Sequence, residues 1–206
     1  MKKLNQLFVA ILAALMFVPA AQAADKEEEK ANDLFAEVTL AYHARNKDSS
    51  FSKQLYLEKG IAGTAGLSVW GFISHESEFS FAYVGLGKKL GDWQLALGAG
   101  CAWYGDICHT TVNPWAYYEA DGLTILLNAE HYDREKEDPW FYLGYVHKKL
   151  GDSLFIGAYG ESAVGIGPVI GWAFNEKVKV WVAIPVASRP DEDRTKVVVK
   201  FSVALF

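Results

Sequence analysis

Apolar and polar positions alternate one by one along most of this chain, most cleanly from Trp93 to Trp103. Trp93, Leu95, Leu97, Ala99, Cys101 and Trp103 fall on one side; Gln94, Ala96, Gly98, Gly100 and Ala102 fall on the other. Successive side chains of a strand point to opposite faces, so the stretch predicts a strand with one bulky apolar face and one small or polar face. Leu34 to Arg45 repeats the pattern, with Leu34, Ala36, Val38, Leu40 and Tyr42 opposite Glu37, Thr39, His43 and Arg45. Val164 to Phe174 sets Ile166, Pro168, Ile170, Trp172 and Phe174 against Gly165, Gly167, Gly171 and Ala173.

Read in order, the alternation predicts twelve strands: 34–45, 53–58, 61–74, 78–87, 93–103, 113–119, 123–132, 140–149, 153–160, 164–174, 178–186 and 195–206. The segment 53–58 is the shortest, and ten strands is the second choice. Odd connections are longer or more charged: KDSSFS, HESE, GDICHTTV, DREKEDP, ESA and SRPDEDR. Even ones are mostly tight: the region of Gly60, KKLGD at 88–92, ADG, KKLGD at 148–152, and Asn175-Glu176. One repeated pentapeptide does not make a repeat protein.

The first residues stand apart from this pattern. Lys2 and Lys3, the apolar run Leu7 to Val18, Pro19 and Ala21-Gln22-Ala23 read as a secretory signal peptide over 1–23. The run is shorter than the roughly 20 residues of a membrane-crossing helix. Residues 24–33, ADKEEEKAND, read as a flexible charged tail, and 34–206 as the folded domain. Removing Lys2 and Lys3 with the signal takes the formal charge from −5 to −7, which argues against nucleic acid as a partner. Export permits a disulfide between Cys101 and Cys108, the only cysteines; two free thiols fit the pattern equally.

Ten residues separate Trp93 from Trp103. At about 3.3 Å per residue and a tilt of about 40°, they stand roughly 25 Å apart along a membrane normal, the height of the apolar band between aromatic girdles. With the signal peptide, the segregated connections and the even strand number, this resembles the small outer-membrane β-barrels of Gram-negative bacteria. The resemblance is to the class and implies an all-β, antiparallel, up-and-down transmembrane barrel. Trp93, Trp103, Trp140, Trp172 and Phe174 become interface aromatics. Lipid, lipopolysaccharide and the barrel-assembly machinery become partners, the last through the C-terminal strand. Barrels of this class end in Phe, as Phe206 does, but here the apolar residues Leu205, Val203 and Phe201 lie on the opposite face. A soluble periplasmic barrel with an apolar ligand inside explains the alternation too, but not the many Gly and Ala on a face turned to water.

The polar face supplies the candidate site. Glu37, His43, Arg45, Glu78, Gln94, Asn128, Glu130, Lys179, Lys196 and Lys200 would project into the barrel interior, either plugging it or lining a narrow channel. His75-Glu76-Ser77 is similar to the His-x-Ser pair of outer-membrane lipid A deacylases, which makes His75 and Ser77 the weak catalytic candidates; Glu78 stands where that family has Asn. No zinc-type Cys/His spacing, P-loop, GxSxG or HExxH occurs, and no cofactor or metal is expected. The expectation is a passive narrow pore or a structural surface barrel.

Overall fold

A computed structural model describes residues 34–45, 49–76, 79–133, 139–162, 164–186 and 195–205. The signal peptide, the charged tail, Ser77, Glu78, most of DREKEDP, all of SRPDEDR after Ala187, and Phe206 lie outside the described residues, as do the side chains of Arg45 and Lys196.

Twelve strands follow one another in the chain: β1 Leu34–Arg45, β2 Ser50–Gly60, β3 Leu67–His75, β4 Phe79–Leu90, β5 Trp93–Tyr104, β6 Ile107–Ala120, β7 Leu123–Tyr132, β8 Trp140–Leu150, β9 Leu154–Glu161, β10 Gly165–Ala173, β11 Val178–Ala183 and β12 Thr195–Ala204. Each pairs antiparallel with its sequence neighbours, and β1 pairs with β12, so the sheet closes into an up-and-down barrel with no free edge. Twelve strands at about 4.8 Å spacing and about 40° tilt give a backbone radius of about 12 Å. Among the described residues no helix is long and apolar enough to cross a membrane; a barrel crosses with strands.

The outer wall is apolar. Val84, Leu86, Ile73, Leu127, Ile156, Ile166, Ile170 and Phe201 are exposed, a distribution that water disfavours and hydrocarbon accepts. Trp93, Trp172 and Phe174 stand exposed towards the end that carries the turns Gly91-Asp92 and 174–177. Trp103, with Tyr42, Phe51 and Tyr142, is exposed towards the other end. Trp140 differs from the other four interface candidates. It stacks on Tyr142 at 6.1 Å and meets His131 edge-on at 4.8 Å, and it also borders the internal cavity at the rim.

Glycines on the inner face make room for rings. The indole of Trp70 (β3) lies over Gly85 and Gly98 of the next two strands, and the ring of Phe155 lies over Gly171. A proline is also accommodated inside the sheet. Pro114 of β6 has no N–H to give to β7, and the β6–β7 ladder is interrupted at Asn113 and Pro114. The side chain of Asn113 donates instead, from Nδ2 to the Ala129 carbonyl at 3.4 Å. Pro168 sits within β10 on the outer face, while Pro185 lies beyond the end of β11.

Three local expectations are corrected. β2 is a full strand of 11 residues. Residues 61–66 are a turn, with Gly63, Ala65 and Gly66 at positive φ, so the strand expected from Ile61 begins at Leu67. GDICHTTV is no loop: Gly105-Asp106 makes a two-residue turn and β6 runs on from Ile107. Long and short connections are therefore segregated less completely than the sequence suggested. The cysteines pair: Cys101 of β5 and Cys108 of β6 form a disulfide across this hairpin.

Candidate functional site: the barrel lumen

The inward residues enclose a cavity of about 1060 Å³. Its lining includes Glu58, Glu119 and Ala173, at the end that also carries the start of β1, and Glu76, Phe141 and Ser162 at the opposite end. The space therefore runs between the two rims. Of the residues expected inside, Glu37, His43, Gln94, Asn128, Glu130, Lys179 and Lys200 border it.

Aromatic residues, which sequence reasoning did not assign to the lumen, occupy much of this wall. On the β2–β6 side Tyr56, Trp70 and Trp115 lie within 5.8–6.3 Å of one another, ring centre to ring centre. Phe72, Phe81 and Tyr83 continue the cluster. On the far side Phe155, Tyr159, Val169, Trp181 and Val198 form a buried core, with His147 between Tyr145 and Phe155. Their signal was parity: Trp115 and Tyr117 share a face with Glu119, and Tyr159 with Glu161.

Two polar seams separate the aromatic walls. Along β12–β1, the hydroxyls of Thr39 and Ser202 bond at 2.7 Å, and Thr39 donates to Glu37 at 3.0 Å. Across β6–β7, Asn113 faces Asn128 at 3.3 Å.

One arrangement recurs four times among the described residues. A tyrosine and a glutamate two residues apart, hence on the same face, are joined by a phenol-to-carboxylate hydrogen bond. Tyr56 donates to Glu58 at 2.7 Å and Tyr117 to Glu119 at 2.6 Å. Tyr159 donates to Glu161, and Tyr132 to Glu130. Glu130, nearly buried, also accepts from Tyr83 across the wall at 3.1 Å. Each phenol fixes its carboxylate without cancelling the charge. Lys200 is treated differently: its ammonium lies 5.3 Å from the ring centres of both Tyr159 and Trp181, held against the wall.

His75 ends β3, and its Nδ1 lies 2.7 Å from the hydroxyl of Ser80 on β4. Ser77 lies outside the described residues. Among those residues no group of three His, Cys, Asp or Glu side chains is placed to hold a metal ion.

Set beside known proteins, the barrel is similar to two solved porins. One is the KdgM porin, at 11% identity and a TM-score of 0.51, covering 82% of this chain and 97% of that one. Another is the NanC porin, at 9% identity and a TM-score of 0.50, covering 82% and 98%. At these identities the likeness is one of fold: this is the architecture of small outer-membrane β-barrels. No family model matches the chain, and no curated protein matches it.

Proposed function

We propose that this protein is a narrow passive pore of the outer membrane, exported by residues 1–23 and inserted as a barrel. The observation that carries the reading is the internal cavity, bordered by residues of both rims and lined by fixed polar groups. A buried plug would serve structure alone; a space that reaches both ends gives solutes a path. The apolar outer wall supports placement in lipid, and the likeness in fold to two porins supports the same reading. The start of β1 and the short turns would face the periplasm, with the charged loops outside. The assembly machinery would receive the C-terminal strand, and lipopolysaccharide would surround the outer rim.

With a backbone radius of about 12 Å and side chains reaching inward by about 6 Å, the passage is a few ångströms in radius, suited to ions and small polar solutes. Purified protein added to a planar lipid bilayer should give discrete conductance steps. A barrel that inserts and stays silent would contradict the pore and leave a structural surface barrel.

A further inference from the structure

The charges inside the barrel are unequal. Among the described residues, six carboxylates border the cavity, those of Glu37, Glu58, Glu76, Glu119, Glu130 and Glu161, against the three ammonium groups of Lys149, Lys179 and Lys200.

Lys200 rests on Tyr159 and Trp181 and is nearly buried. Lys149, exposed near the end of β8, and Lys179, near the start of β11, lie at the short-turn rim, where Glu37, Glu58 and Glu119 outnumber them three to two. The carboxylates of Glu58 and Glu119 are pinned by Tyr56 and Tyr117 where β2 and β6 end, at the rim that also holds the start of β1. Glu58 additionally accepts from Gln94 of β5. Pinned carboxylates at a low-dielectric mouth raise the local concentration of cations and repel anions, and their field is not averaged away by side-chain motion.

Resting on the pore reading, we infer that the lumen passes cations in preference to anions, and that the tyrosine-held carboxylates of Glu58 and Glu119 set this preference at the short-turn mouth. The class of solute is a small cation, inorganic or organic. The preference should fade with salt, because the Debye length falls from about 10 Å at 0.1 M to about 3 Å at 1 M.

The test is the reversal potential of the full barrel in a planar bilayer under a potassium chloride gradient. The expected result is a potassium-to-chloride permeability ratio of about three in dilute salt, approaching one in molar salt. The double variant Glu58→Gln with Glu119→Gln keeps acceptors for both phenols and should bring the dilute-salt ratio down towards one. Its own conductance steps report that it has inserted. A conducting wild-type barrel with a ratio of one or less overturns this inference and leaves the pore reading standing. A cation preference that survives the double variant overturns the assignment to these two residues. An inserted barrel without conductance overturns the pore reading, and this inference with it.

Discussion

Trp70 rests on Gly98: a Cβ at position 98 would lie 2.4 Å from the indole Cζ2 and 2.6 Å from Cη2. The ring is almost wholly buried and touches Tyr56 and Trp115, so it has nowhere to retreat except into the cavity. Gly98→Ala should therefore destabilise the barrel by about 1–3 kcal/mol. It should also lower single-channel conductance, because the displaced indole narrows the passage. Urea unfolding from lipid vesicles measures the first effect and bilayer recording the second.

Glu130 accepts hydrogen bonds from both Tyr83 and Tyr132 and is nearly buried. Glu130→Ala leaves two buried phenols without their acceptor and should cost about 1–3 kcal/mol of unfolding free energy. Glu130→Gln keeps an acceptor and should recover most of that loss. Equal losses in the two variants would place the role of Glu130 in its charge and not in its hydrogen bonds.

Val84 and Val186 are both 64% exposed, yet Val84 lies in the middle of β4 and Val186 beyond the end of β11. Lipid distinguishes two such sites by depth; water does not. Val84→Arg should cost about 2–4 kcal/mol in unfolding from vesicles, and Val186→Arg only about 0–1 kcal/mol. Equal costs would contradict a lipid-facing wall.

Cys101 and Cys108 are seven residues apart in the chain, within one tight hairpin. Closing so short a loop restricts the unfolded chain less than a long one would, so the bridge adds about 2.5 kcal/mol at most. Cys101→Ser with Cys108→Ser should fold, lose that increment in urea unfolding, and keep the wild-type conductance. Alkylation without reductant, read by mass spectrometry, should leave both wild-type sulfurs unmodified.

What the sequence showed and what it hid follow from where water is. Strands such as β5 and β10 have one side on the apolar outer wall and the other against the lumen, so the period of two is sharp and their bounds were legible to within a residue or so. Cys108 to Thr111 lie where β6 approaches the rim and polar residues are allowed on both faces; the alternation disappears there and the strand read as a loop. The turn at 61–66 was masked by Ile61 and Leu67, although Gly63 and Gly66 carried its signal.

The lumen was read as polar because polarity was taken as the mark of the inner face. In a barrel of this radius inward positions must also fill space, and aromatic rings over glycines do so. Trp70 over Gly98 and Phe155 over Gly171 show why those glycines keep strand parity. The pairing of Tyr117 with Glu119 was visible as spacing, but its meaning required the shared face.

The central claim is that this barrel lives in the outer membrane with its apolar wall in lipid. The most direct measurement is fractionation of cells expressing the full chain, followed by alkaline and urea washes of the membrane pellet. The protein should remain in the washed outer-membrane pellet and leave it only with detergent. Its recovery in the soluble periplasmic fraction would contradict the claim and point instead to an apolar ligand held within the barrel.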